Sequence, residues 1–267
     1  HCRRREEMSK DEGLSFWDHL DVLRAIIIRI IVVTIVCGIV AFLFKEELFA
    51  VVLAPRNPDF VTYRLLARVS GMFGGDAPDN PVIQLINTGL AEQFVIHMKT
   101  ALCAGVLCAS PYTLYQLFRF VSPALYANER RFALPIVVGG YVMFMLGVLI
   151  SYYLIFPLTF RFLGTYQVSE DVVNMISLQS YMSTLTLMSI SMGIVFEMPV
   201  VAWLMARMGL LTASFMNRYR RHAIVVILIV AAIITPTSDI FTLLMVSLPM
   251  WLLYEVSVCI VRVSNRG

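Results

Sequence analysis

The sequence predicts an all-α, polytopic membrane protein with six transmembrane helices, and three observations carry that expectation. Of 267 residues, 59% are hydrophobic and 15% charged, with a mean hydropathy of +0.78. Soluble domains lie nearer about 45–50% apolar and about 25% charged. Apolar runs long enough for the ~30 Å of bilayer hydrocarbon recur along the chain. Finally, the lysines and arginines sort unequally between alternate connections, as loops on opposite sides of a membrane do.

Taken in order, residues 1–24 read as a cytoplasmic tail ending in an interfacial helix. The reading starts after His1–Glu7, which precede a possible start at Met8. In Ser15-Phe-Trp-Asp-His-Leu-Asp-Val-Leu-Arg24, Phe16, Leu20 and Leu23 recur at helical spacing beside Trp17. Such a stripe lies in the membrane surface with its aromatics at headgroup depth. Residues 25–44 form the first span, about 30 Å of helix broken only by Arg29, which can snorkel. No A-x-A cleavage site follows, so the span is expected to be an anchor. Lys45–Leu90 is a polar interval with four prolines and a glycine-rich run, read as the longest loop.

The second span covers residues 100–118, after a helical lead-in from Leu90 to Lys99, and contains Pro111. The third covers 133–156 and is expected to stop at Pro157, with a second outer loop from Leu158 to Ser177. The fourth, 178–206, holds Glu197 and Pro199. The fifth and sixth, 223–234 and 240–254, are joined by Thr235-Pro-Thr-Ser-Asp239. Residues 25–261 thus make one six-helix membrane domain, and 262–267 a basic cytoplasmic tail. The last two spans are short, at ~18 Å and ~22 Å of helix against ~30 Å of hydrocarbon, which favours a thinned bilayer or burial against partners. Prolines inside three spans, at 111, 199 and 249, favour kinked helices forming a concave wall; kinks without a use are equally compatible.

Six spans put both termini on one side. That side collects 15 of the 21 lysines and arginines, while the other has five, so both termini are expected in the cytoplasm. The five cysteines lie in apolar runs or the N-terminal tail and imply neither a disulfide framework nor a zinc site. No Ser-His-Asp set, H-E-x-x-H, P-loop or dinucleotide fingerprint stands in the chain, which argues against an enzyme and against a cofactor.

Two polar features remain. Between the second and third spans, Phe120-Val-Ser-Pro-Ala-Leu-Tyr-Ala-Asn-Glu-Arg-Arg131 carries Glu129 beside Arg130 and Arg131. Its carboxylate could accept hydrogen bonds from a cationic partner, or could pair only with its own arginines or favour a helix N-terminus. Within the fourth span, Glu197 should face protein or water, because a charge at bilayer centre costs of order 2.5–3.5 kcal/mol. It serves either a function or an interhelical hydrogen bond. Lys99 and Gln116 raise the same question more weakly, and Lys99 can snorkel to the outer surface.

Five segments together resemble the TatC family, the multi-spanning subunit of the twin-arginine protein translocase. They are Ser15-Phe-x-x-His-Leu-x-x-Leu-Arg24, Ser122-Pro-Ala-Leu-Tyr-x-x-Glu-Arg-Arg131, Phe196-Glu-x-Pro-Val200, Ile234-Thr-Pro236 with Asp239, and Leu253-Tyr-Glu255. The resemblance implies a receptor for twin-arginine signal peptides in a bacterial cytoplasmic (inner) membrane. The system would export folded proteins on the proton-motive force. The partners implied are single-span TatA- and TatB-type proteins, the signal peptides of folded cargo, membrane lipid and further copies of the chain, with no nucleic acid.

Residue by residue, Glu129 matches the loop glutamate that contacts the signal's arginine pair, and Arg130 and Arg131 the basic pair after it. Arg24 ends the N-terminal motif, Gln116 and Phe120 match polar and aromatic positions at the cytoplasmic mouth, Glu197 the glutamate of the fourth span, and Asp239 the acidic residue of the outer turn. One departure stands out: Val22 replaces a glutamate often found two residues before Arg24, and Asp21 is its neighbour. One helical step turns a side chain by ~100°, so Asp21 either supplies the second carboxylate or leaves it absent. The chemistry suits the role, since a guanidinium fork matches a carboxylate with two parallel bonds. The alternative is a proton-coupled secondary transporter using Glu197, for which two related halves would be expected. A structural scaffold comes third. Binding of a twin-arginine peptide against its twin-lysine variant separates them.

Overall fold

The computed structural model describes residues 16–72, 84–121, 133–167, 174–236 and 239–264. Helix α1 runs unbroken over Phe16–Leu43. The interfacial helix and the first span expected to meet at residue 24 are continuous in one helix: within it no glycine or proline stands before Gly38, and nothing interrupts the backbone ladder. The first part of the interval read as a loop, residues 45–72, is largely helical, a correction. It holds α2 (Lys45–Leu53), a 3₁₀ turn (Ala54–Arg56) and α3 (Val61–Met72). Glu46 and Glu47 occupy the first turn of α2, where carboxylates complement the helix dipole.

Helix α2 ends against the rest of the molecule. Its last carbonyls have no partner within the helix, and tyrosine hydroxyls meet them: Tyr152 Oη donates to Val51 O at 2.5 Å and Tyr181 Oη to Val52 O at 3.0 Å. Tyr63, buried on α3, shares its hydroxyl proton between Pro55 O and Pro157 O, each at 3.1 Å. Burial pushes that hydroxyl up to about 12, against the opposing pull of Arg161, so it stays a donor at neutral pH.

Beyond them, strand β1 (Leu85–Ile86) leads into α4 (Glu92–Val121), with Pro111 inside the helix. Helix α5 (Ala133–Ile150) continues through a π turn (Ser151–Ile155) into α6 (Phe156–Thr165). The third span does not stop at Pro157 as the sequence suggests; residues 135–165 are one candidate span. The ring of Pro157 would clash with the Tyr153 carbonyl in an ordinary turn. The wider π turn relieves the clash, and Thr62 Oγ1 on α3 donates to the freed Tyr153 O. Pro111 is treated similarly: Ser110 Oγ donates to Leu107 O at 2.7 Å, the carbonyl that proline leaves unpaired.

Strand β2 (Ile176–Ser177) pairs in parallel with β1, Leu85 opposite Ile176 and Ile86 opposite Ser177. It leads into α7 (Leu178–Phe196), capped by Ser177 Oγ on Ser180 N at 3.1 Å. The fourth span is not one helix: it breaks at Glu197 and resumes as α8 (Met198–Arg207). Pro199 favours the break, because it lacks an N–H and sits in the first turn of the new helix, where none is needed. After α9 (Ala213–Arg218), α10 (Arg220–Ile234) has 15 residues and α11 (Ile240–Ser264) has 25. Helix α11 is thus longer than the 15 residues expected for the last span, and it runs on well past Tyr254. The apolar run is interrupted there by Glu255, whose charge is met by Arg220 at 2.6 Å.

Five helical stretches among the described residues are long and apolar enough to cross a membrane: 20–43, 92–120, 135–165, 178–207 and 240–264. The largest buried cluster lies among α6, α7, α8, α10 and α11. It centres on Tyr181, Met188, Met192, Val246, Met250 and Val258, all nearly inaccessible.

Candidate functional site

Helices α1 and α4 are antiparallel and meet with unusual closeness. A Cβ on Gly105 would lie 2.6 Å from Thr34 O and 2.7 Å from Gly38 N, and one on Gly38 3.5 Å from Ala101 O. At the next turn, Phe42 stacks on His97 with ring centroids 4.0 Å apart. Each step of four along α1 is matched by a step of four back along α4. Continuing this register brings Arg24 to the level of Tyr115, beside Gln116, and Asp21 to that of Phe118, near Phe120. Four of the residues singled out in the sequence therefore gather at one end of one helix pair.

Their states differ. Asp21, Val22 and Arg24 are exposed, and neither charge has a partner among the described residues. Phe120 is half-buried. Gln116 is buried, its Nε2 donating to Tyr112 Oη at 2.6 Å, while its Oε1 has no partner among the described residues. A buried acceptor left open at a helix end is uncommon and suits a ligand that brings a donor. Glu129, Arg130 and Arg131 lie outside the described residues.

Glu197 is built by a second close helix pair. A Cβ on Gly147 of α5 would lie 2.5 Å from Met192 O, and one on Gly193 of α7 2.8 Å from the Phe144 ring. The same seam continues to Gly140, where an added Cβ would lie 3.2 Å from Glu197 Oε2. The half-buried carboxylate thus rests on bare α5 backbone, and its Oε1 is unpartnered among the described residues. By helical rise it stands ~10 Å in from the start of α5 and ~15 Å from the end of α8. That is deeper than Gln116, which stands ~8 Å from the end of α4.

Asp239 caps α11, its Oδ2 accepting from Thr242 N at 2.7 Å, so its local role is to start that helix. Two further carboxylates were not singled out from the sequence. Glu92 accepts through Oε2 from Gly89 N at 2.8 Å and Thr88 N at 3.1 Å, and through Oε1 from Gln179 N at 3.3 Å, tying α4 to α7. Its reach back to the Gly89 N–H is the glutamate half of a capping box, with Gly89 in place of the usual Ser or Thr. Glu255 pairs with Arg220, and the adjacent Tyr254 Oη donates to Met216 O at 2.7 Å. Together they hold the α9–α10 corner against α11. Among the described residues no three His, Cys, Asp or Glu side chains gather as a metal site would require.

Five helices long and apolar enough to cross a membrane, packed in close pairs, define a polytopic helical membrane protein. Residues 18–249 match the family described as Sec-independent protein translocase protein (TatC). The relative from Desulforapulum autotrophicum bearing that description is 35% identical over 260 residues, covering 97% of this chain and 88% of its own length. The one from Aquifex aeolicus is 30% identical over 250 residues, covering 93% and 95%. A crystal structure described as the twin-arginine translocase receptor TatC superposes with a TM-score of 0.75 at 30% identity, covering 93% of this chain and all of that one. The chain belongs to the TatC family.

Proposed function

We propose that this chain is the signal-peptide receptor and core subunit of a twin-arginine translocase. It would act in a bacterial cytoplasmic membrane with six kinked spans forming a concave wall and both termini in the cytoplasm. It works with single-span TatA- and TatB-type partners and further copies of itself, in contact with membrane lipid, and exports folded cargo on the proton-motive force. The observation that carries the reading is the α1–α4 register, which gathers Asp21, Arg24, Gln116 and Phe120 at one end. The segment holding Glu129 follows α4 in sequence at that end.

In this reading Glu129 accepts the peptide's arginine pair, and Arg130 and Arg131 compete for it only weakly because exposed ion pairs contribute ~0–1 kcal/mol. Gln116 Oε1 accepts a further donor, and Phe120 packs on apolar residues of the signal. Charge-assisted bonds contribute ~1.5–3 kcal/mol each, so one or two suffice to prefer arginine over lysine at a bidentate site. Glu197 supplies a polar contact for a partner helix, and no reaction is catalysed.

The test is the affinity of a twin-arginine and a twin-lysine peptide for wild type, Glu129→Ala, Asp21→Ala and Val22→Glu. Glu129→Ala should weaken binding of the arginine peptide about tenfold or more, the loss of one charge-assisted bond. Loss of discrimination in Asp21→Ala would show that the neighbouring carboxylate replaces the glutamate absent at Val22. Unchanged discrimination in Glu129→Ala would remove that residue from the site.

A further inference from the structure

Toward the end of the molecule that carries β1 and β2, helices α4 and α7 part into a groove of about 460 Å³. Val95, Leu102 and Val106 line it from α4, and Leu187 and Ser183 from α7. Val95, Leu102 and Leu187 are exposed, so the groove opens toward the surroundings. One group in it is charged: Lys99, which is exposed and has no hydrogen-bond or ion-pair partner among the described residues. It stands ~10 Å of helix rise from Glu92 at the helix start. Glu92 cannot serve it easily, because both carboxylate oxygens are held by Thr88, Gly89 and Gln179.

Charge and an apolar lining point to one occupant. A compact ammonium with three donors, set beside an apolar groove, is complementary to an anion joined to a hydrocarbon chain. The lining runs ~16 Å along α4 from Val95 to Val106 and is predominantly apolar, which suits an acyl chain whose anionic headgroup meets Lys99. We propose that this groove is a phospholipid site: one acyl chain lies between α4 and α7, and Lys99 holds the phosphodiester of the headgroup. Because no carboxylate among the described residues balances Lys99, headgroups of net negative charge are favoured. In the topology proposed above, the lipid belongs to the outer leaflet.

The site is tested by native mass spectrometry of the detergent-purified chain titrated with phosphatidylglycerol and with phosphatidylcholine. Wild type should take one phosphatidylglycerol more tightly than phosphatidylcholine. Lys99→Gln should lower phosphatidylglycerol affinity about tenfold, equivalent to ~1.4 kcal/mol, and erase the preference. Lys99→Arg should keep both. Ser183→Phe, which places a ring in the groove from an exposed position, should weaken both lipids with the lysine intact. Equal phosphatidylglycerol affinity in wild type and Lys99→Gln would overturn the proposal. So would a Ser183→Phe protein that binds both lipids as wild type does, or a cysteine at 183 that cross-links to a partner's membrane helix and not to a lipid analogue.

Discussion

Glu197 shows how a single carboxylate can be placed in a membrane at tolerable cost. Proline two residues later breaks the helix, and Gly140 removes the side chain that would otherwise fill its space. Glu197→Gln preserves shape and hydrogen bonding, so its melting temperature in detergent should match wild type and partner co-purification should persist. Glu197→Leu should fold yet lose the partner; the reverse pattern would exclude a hydrogen-bonding role. Tyr63 offers a pH test. Its hydroxyl lies at about 12 in the folded chain, above the ordinary value near 10. The neutral form is thus favoured by folding: the contribution is whole below pH ~10 and is lost as pH rises through about 12. Melting scans from pH 9 to 12 should show a steeper alkaline loss in wild type than in Tyr63→Phe.

Between elements, glycine seams set distance. An alanine at Gly105 would push its Cβ into Thr34 O and Gly38 N, backbone atoms that cannot rotate away. Gly105→Ala should therefore spread α1 from α4 and destabilise by ~1–3 kcal/mol, read as a lower melting temperature, with poorer peptide discrimination if Asp21 and Arg24 act together with Gln116. Thr62→Val should cost about 1–3 kcal/mol by orphaning the Tyr153 carbonyl, and faster hydrogen exchange in α3 would report it. These contacts explain what the sequence hid. Pro157 reads as a stop because the Tyr153 carbonyl it leaves unpaired is met by Thr62, 91 residues before Tyr153. Glu255 reads as a span end because Arg220, 35 residues earlier, neutralises it. Apolar runs were legible, since length and composition are local properties. The helices of 45–72 were not, because α2 finds its terminal partners in Tyr152 and Tyr181, far along the chain.

For the whole molecule, orientation is the property with most consequence, and charge bias alone argues it. Single cysteines at Asp76 or Ser169 should react with an impermeant maleimide added outside cells, and cysteines at Asn128 or Asn217 should not. Reaction of both sets from one side would rule out the six-span arrangement. The gathering of Asp21, Arg24, Gln116 and Phe120 at one end could not be read from spacing, because it depends on which helices pair and in what register. Only the family resemblance grouped them. The register puts them at the same end of one helix pair, which supports the proposed site.

The two-residue ladder between β1 and β2 carries a consequence for the order of assembly. Its strands lie 91 positions apart, Leu85 to Ile176, and Glu92 reaches Gln179 over a similar separation. During synthesis at ~5–20 residues per second, the first strand must wait several seconds for its partner to leave the ribosome. Closing so long a loop for two residue pairs is entropically poor unless intervening helices have already shortened it. The stitch should therefore form last, after α4, α5 and α7 have docked, and act as a latch on a nearly finished bundle. Pulse-chase cross-linking between cysteines at Leu85 and Ile176 should lag behind cross-linking at the α5–α7 seam, making this ladder the slowest native contact to appear.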